Sequence, residues 1–189
     1  MKQLILDSTP QAQWQSLVRE AQVSCDRQLD ESLESYLVFL LMRFTRKPHC
    51  MARVMAEDYL QAFACRRSER IERLRDVGDH CLLYSGMFPQ QAERRRVNIS
   101  YFVNLGQSAY MQLSGLLEHG WALVYGHLSE AFVVLVDILQ AMRELDGHAA
   151  LTPIQAMEFW QDTGSRRSYQ QISAVHSRAV PMPGSRQTH

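Results

Sequence analysis

Several features that mark other protein classes are missing from this chain. Nine glycines and six prolines among 189 residues are too few for a collagen-like or low-complexity protein. The longest purely apolar run, residues 36–42, is far shorter than the ~20 residues of a membrane-spanning helix. The apolar stretch between Lys2 and Asp7 is too short for a secretory signal. We therefore expect no membrane insertion and a cytoplasmic location.

Motifs of common catalytic sites are also missing. The glycines at 115, 120 and 126 have neither the spacing nor the lysine of a phosphate-binding loop. Ser85–Gly86 lacks the preceding glycine of a nucleophile elbow. The chain contains no H-E-x-x-H, and no glutamate lies three residues before a histidine, as in di-iron bundles. These absences favour a protein that is not an enzyme, and they predict no cofactor.

The four cysteines match no metal or redox motif, since none forms a C-x-x-C pair. The dipeptides His49–Cys50 and His80–Cys81 bring two soft ligands together in sequence. Neighbouring residues on a helix point about 100° apart, however, so each pair would offer one ligand. We predict free thiols in a reducing compartment. A metal site is the weaker alternative, with His119, His127 and Glu130 as its candidates.

Charge is balanced overall but uneven along the chain. Twenty basic and twenty acidic residues give no net charge. Residues 43–96 carry twelve bases and seven acids, whereas residues 118–162 carry seven acids and one arginine. This distribution predicts a charge-polarised surface that meets a protein partner or a second copy of the chain.

Apolar residues recur with the spacing of helices, and no segment alternates with the period of a strand. Apolar residues make up 46% of the chain and charged residues 21%, which excludes a disordered protein. We predict an all-α fold, a single-domain bundle of about seven helices over residues 1–164. A polar and largely flexible tail, residues 165–189, follows it.

Individual helix ends have recognisable signals. Either Thr9 or Ser8 is predicted to cap the first helix, Asp30 and Thr152 are predicted N-caps of later helices, and Thr152 with Gln155 matches a capping box. The helix after Asp30 is apolar on all sides, which predicts a central helix covered by its neighbours. A third helix is predicted from Pro48, a fourth from Ser68 to Gly86, and a fifth from between residues 89 and 97 past Tyr110. The glycines at 120 and 126 are predicted to mark the next break, and Ser129 to cap the helix after it.

One region is rich in residues of functional type and predicts a polar pocket between the fourth and fifth helices. A polar group inside an apolar pattern needs a partner, because an unpaired buried one costs ~1–3 kcal/mol. The structural alternative is an internal network in which Asp79 pairs with Arg75. The candidate pocket residues are Asp79, His80, Tyr84, Tyr101, Asn104 and Tyr110.

A basic segment precedes and follows the same region, and it forms an anion-binding patch if its two parts meet in space. Acidic residues are interleaved with the arginines, which favours partial neutralisation within the helix. The patch consists of Arg66, Arg67, Arg70, Arg73, Arg94, Arg95 and Arg96.

We therefore expect a non-enzymatic helical protein that binds another macromolecule, as an adaptor, a regulator or an assembly subunit. One alternative is a small-ligand-binding or metal-binding bundle, enzyme or not, that uses the polar pocket. A second alternative is nucleic-acid binding through residues 66–96.

Overall fold

The computed structural model describes residues 9–46 and 55–179, and within these ranges the chain is helical with no strands. The expected all-α class is confirmed, but the described residues form ten helical segments where about seven were predicted. The segments are α1 (Pro10–Ser24), α2 (Glu31–Arg46), α3 (Met55–Ala62), α4 (Arg67–Gly86), α5 (Gln90–Arg94), α6 (Ile99–Leu116), α7 (His119–Glu130), α8 (Phe132–Leu145), α9 (Pro153–Thr163) and α10 (Arg166–Ala179).

The predicted helix ends at α1, α2 and α9 are confirmed. The hydroxyl of Thr9 accepts a hydrogen bond from the backbone N–H of Ala12. The carboxylate of Asp30 accepts a hydrogen bond from the backbone N–H of Leu33. Thr152 and Gln155 form the reciprocal bonds of a capping box, and Gly164 ends α9 in the left-handed conformation. The first turn of the predicted third helix, from Pro48, lies outside the described residues.

The core is built around α4 and α6, which pack directly against each other. Gly78 of α4 faces the buried ring of Tyr110 on α6. Gly106 of α6 faces Phe132 of α8 and Cys81 of α4. These glycines allow the close approach of the helices, since an added Cβ would lie 2.3 Å from Tyr110 or from Phe132.

One predicted helix is divided in the structure, and one predicted break between helices lies at another position. The predicted fifth helix is α5 and α6, separated by Arg96 at a φ of 55°. The glycines at 120 and 126 lie inside α7 and mark no break, because the chain turns at Leu117–Glu118 instead. Ser129 does not cap α8, since its hydroxyl donates to the carbonyl oxygen of Gln107 on α6 at 2.9 Å.

No single described helix combines the length and hydropathy of a membrane span. Only α7 and α8 taken together have the length and hydropathy of a span, and these two helices meet at an angle of 68°.

The predicted central position of α2 is only partly observed. Leu37, Leu40 and Leu41 are buried, but the side chain of Phe39 is 56% exposed. Helix α7 reaches α2 through the rings of Tyr36 and Tyr125, whose centroids are 5.8 Å apart. One apolar side of α2 therefore remains uncovered by the described residues.

The structure corrects the predicted start of the flexible tail. Residues 166–179 form α10, which is attached to the bundle by the buried carboxylate of Asp137 in α8. The hydroxyl of Ser165 donates to Asp137 at 2.6 Å and accepts the backbone N–H of Ser168 at 3.1 Å. This anchor is absent from the local pattern, because Asp137 lies 28 residues before Ser165. Residues 180–189 lie outside the described residues.

We expect Ser165→Ala to loosen α10. The change removes the N-cap and leaves the buried Asp137 without its hydroxyl donor, so we expect a loss of ~1–3 kcal/mol in the free energy of unfolding. Urea denaturation measures this loss, and hydrogen exchange locates it in α10. The exposed Ser68 provides the control, since Ser68→Ala should leave both measurements unchanged.

We expect Gly78→Ala to destabilise the α4–α6 contact. The new methyl group would lie 2.3 Å from the buried Tyr110 ring, and overpacking of this kind costs ~1–3 kcal/mol. The matched control is Gly115→Ala in α6, where nothing lies within 4 Å of the added Cβ. That variant should be neutral or more stable by up to ~1 kcal/mol, because alanine favours helix. Equal urea midpoints for the two variants would contradict the packing argument.

Candidate functional site

A buried carboxylate joins three helices in the middle of the bundle. Asp79 of α4 is almost fully buried, and its Oδ1 accepts hydrogen bonds from the phenols of Tyr36 at 2.6 Å and Tyr110 at 2.7 Å. Its Oδ2 accepts from the guanidinium of Arg43 in α2. Both carboxylate oxygens are therefore occupied by donors from α2 and α6.

Aromatic rings surround this carboxylate. The ring of Tyr110 lies 6.1 Å from that of Tyr36 and 5.6 Å from that of Tyr125, measured between centroids. Trp121, one turn before Tyr125 on α7, continues the series with a centroid separation of 6.4 Å. The rings run from the buried carboxylate to the surface, and their edge-to-face and tilted contacts stabilise the junction of α2, α6 and α7.

Opposing effects act on the charge of Asp79. Burial raises the pKa of the Asp79 carboxyl, whereas Arg43 and the two phenols act to lower it. Burial and the neighbouring carboxylate raise the pKa values of Tyr36 and Tyr110 well above the usual value. Both phenols therefore keep their protons at neutral pH and act as hydrogen-bond donors.

A groove of about 420 Å³ lies beside the carboxylate, between α2 and α7, with α4 as its floor. We call it the α2–α7 groove. On the α2 side the lining residues recur every three or four positions, and on the α7 side they are two large aromatic side chains and a valine. The lining residues are Ser32, Ser35, Tyr36, Phe39, Leu40, Arg43, Arg75, Asp79, Trp121, Val124 and Tyr125.

The groove exposes aromatic surface next to positive charge. Phe39 is 56% exposed and Trp121 is 63% exposed. Arg43 and Arg75 both line the groove, and they also line a smaller depression of about 230 Å³ that adjoins it. Large exposed aromatic side chains in a concave surface are typical of binding sites.

The six residues of the predicted polar pocket do not converge. Asp79 and Tyr110 are hydrogen-bonded to each other, and His80 lines the smaller depression. Tyr84 lies elsewhere, 5.3 Å from the ring of Phe102.

Tyr101 and Asn104 are exposed on α6. The predicted pairing of Asp79 with Arg75 is wrong, because Arg43 takes that position. The space between α4 and α6 is filled by the side chains that face Gly78 and Gly106.

The predicted basic residues lie in two groups at opposite ends of α4. Arg67 donates to the carbonyl oxygen of Leu116, and Arg70 donates to carbonyl oxygens at the end of α3, including that of Ala62. Arg73 pairs with Glu69 on the same helix. These three arginines therefore form contacts within the protein that stabilise the fold.

The second group lies after the C-terminal end of α4, where Arg95 stacks over the ring of Tyr84 at 5.5 Å. Arg66 precedes the first turn of α4, so about 27 Å of helix separates it from Tyr84. Arg94 and Arg96 are exposed near Arg95. The two halves of the predicted patch do not meet.

The weak metal candidates lie at the surface of α7. His127 and Glu130 share this helix and are exposed, and the imidazole of His127 lies 4.0 Å from the carboxylate of Asp30. His119, also exposed, begins α7 with a φ of 54°. No group of three metal-ligating side chains occurs in the described part of the chain. Cys25, Cys65 and Cys81 are free thiols, and Cys50 lies outside the described residues.

Tyr36, Phe39 and Arg43, which line the groove, were not among the sequence-based site candidates. Phe39 and Tyr36 fit the apolar pattern of α2, and Trp121 fits that of a core helix. Arg43 lies 36 residues before Asp79, so no local spacing links the two. The apolar character of α2 on all sides was a usable signal. A helix of this kind needs neighbouring helices on every side, and α7 covers one side of α2 only in part.

Fold and site together define an all-helical protein, over the residues described, with an aromatic groove beside a buried carboxylate that pairs with a half-exposed arginine. A scan against protein-family models finds no match for the chain. Searches among curated proteins and among solved structures find no significant match either.

The pH dependence of stability tests the Arg43–Asp79 contact. Removing Arg43 deletes the strongest effect that opposes burial at Asp79 and leaves only the two phenols, so the folded-state pKa of this carboxyl rises further above its value in the unfolded chain. A folded-state pKa above the unfolded value means that stability is lost as the pH rises through it. We expect Arg43→Met to lower the free energy of unfolding by ~1–3 kcal/mol at pH 8, and by clearly less at pH 5.

Urea denaturation at the two pH values measures this difference. The control is Arg94→Met, which removes an exposed arginine and should have little effect at either pH. Equal losses at pH 5 and pH 8 would show that Asp79 is not the group left without its partner.

Proposed function

We propose that this protein is a non-enzymatic binding protein that recognises a partner protein through the α2–α7 groove. The observation that carries the proposal is the exposure of Phe39 and Trp121 on facing sides of an apolar groove. Aromatic side chains are enriched at the centres of protein interfaces, and exposed ones in a groove contribute most of the binding energy of many complexes.

The state of Asp79 supports binding rather than catalysis. A carboxylate that acts as a general base must reach a substrate proton. Both oxygens of Asp79 accept hydrogen bonds from the protein, and the side chain is almost fully buried. This carboxylate holds α2 and α6 in place and thereby shapes the groove.

Charge polarity contributes less to the proposal than the groove does. Two acids of the region 118–162 are engaged within the fold, since Asp137 is buried and Glu144 pairs with Arg167 at 2.5 Å. Nucleic-acid binding has weaker support, because the arginines of residues 66–96 lie in two separate groups and several bind carbonyl oxygens.

We expect Trp121→Ser to abolish capture of the partner without unfolding the protein. The indole is 63% exposed, so its removal costs little core packing but deletes a large contact surface. The measurement is quantitative affinity capture from a lysate of the source cells, with wild type and variants at equal concentration. Phe39→Ser should have the same effect from the other side of the groove.

Leu123→Ser is the matched control. Leu123 belongs to the same helix and is 65% exposed, but it does not line the groove. Retention of the same partners by the Leu123 and Trp121 variants would place the interface elsewhere. A wild-type protein that is strictly monomeric and retains nothing would contradict the proposed function itself.

A further inference from the structure

The wall that α2 contributes to the groove has the length of a short helix. Its lining residues run from Ser32 to Arg43 at intervals of three and four, which covers about three turns or ~16 Å. The exposed Ser32 and Ser35 are small, so the backbone of a bound segment can approach α2 closely at this end. Phe39 and Trp121 stand further along, on opposite sides.

The backbone of the groove offers almost no hydrogen bonds to a bound segment. All of its lining residues belong to α2, α4 or α7, and the described residues contain no strand edge. Backbone groups inside these helices are paired within the helix, and only Ser32 and Trp121 lie in first turns, where N–H groups have no helical acceptor. The N–H of Ser32 donates to the Asp30 carboxylate. An extended peptide placed here would therefore leave most of its own N–H and C=O groups without protein partners. A helical segment satisfies these groups internally and presents side chains every three or four residues.

Arg75 supplies a positive charge whose one ion pair within the described residues is long and makes no hydrogen bond. Its Nε is buried within the groove region and has no hydrogen-bond partner in the described part of the chain. The nearest acid is Asp76, whose Oδ1 lies 3.9 Å from this Nε, beyond hydrogen-bond distance. The same oxygen also lies 3.9 Å from Arg43, so Asp76 is shared between two guanidinium groups.

Arg43 is in a different state, because its guanidinium donates to the buried Asp79. Of the two arginines in the groove, Arg75 is therefore the one available to an incoming acid. A guanidinium beside apolar walls binds a carboxylate more strongly than an arginine in open solvent does.

We propose that the partner places an amphipathic helix in the α2–α7 groove, with apolar residues against Phe39 and Trp121 and an Asp or Glu carboxylate on Arg75. This inference rests on the proposed function and adds the chemistry of the partner to it. Charge complementarity at Arg75 and the self-contained backbone of a helix are the two features that favour this occupant.

A library of random 16-residue peptides displayed on phage tests the proposal on the full-length protein. Peptides are selected on the wild-type chain and counter-selected on Trp121→Ser, so that only ligands of the groove are retained. We expect the enriched peptides to have apolar residues at spacings of three and four and an acidic residue on the same face.

The strongest peptide then allows a double-mutant cycle, measured by calorimetry. Arg75→Gln should weaken its binding by about 10- to 100-fold, and changing the acidic residue of the peptide to its amide should do the same. The two changes together should cost no more than either one alone. The peptide change requires no altered protein, so it remains informative if the Arg75 variant folds poorly. Arg94→Gln is the control and should leave the affinity unchanged.

The outcomes separate this inference from the proposed function. Groove-dependent peptides that are proline-rich, or that bind Arg75→Gln as well as wild type, would overturn the acidic helix and leave the proposed function standing. A selection with no groove-dependent peptide would count against both. Dimerisation that Trp121→Ser abolishes, or binding of dodecanoate in place of any peptide, would assign the groove to another occupant and overturn the inference.

Discussion

The contact between Asp79 and its three donors determines how α2, α4 and α6 are arranged around the middle of the bundle. A carboxylate in the middle of a bundle is costly unless its oxygens are occupied by donors. Here Arg43 and Tyr36 come from α2 and Tyr110 from α6, so the cost is offset only when both helices are in place around α4. The contact thus selects one arrangement of three helices, which apolar packing alone specifies less sharply.

The groove is a consequence of the same arrangement. Tyr36 reaches inward to Asp79 and touches Tyr125 of α7, which brings α2 and α7 together at the level of the carboxylate. Away from this level the two helices leave a space between them, with Phe39 on one side and Trp121 on the other. The network and the groove are therefore linked, because the residues that stabilise the fold also form the inner wall of the groove.

Local patterns were sufficient to predict the helices and several of their ends. The capping box at Thr152 and the cap at Asp30 depend on residues within three positions, and both were predicted correctly. Contacts across long distances in sequence were not predictable in this way. Asp137 anchors α10 from 28 residues away, and Arg43 neutralises Asp79 from 36 residues away. The groove belongs to the second kind, since Phe39 and Trp121 have the hydropathy of core residues and only their places in the bundle expose them.

The two arginines of the groove differ because only one of them has a buried partner. Asp79 lies too deep to be reached by both, and the two phenols already occupy its other oxygen. Arg43 therefore forms the internal pair, while Arg75 has only the shared and partly exposed Asp76 nearby. A long contact between two half-exposed side chains contributes little to stability, so binding a second carboxylate would cost Arg75 little. The pairing that stabilises the core thus leaves a positive charge beside exposed aromatic surface, which is the combination that a partner with an acidic, apolar face requires.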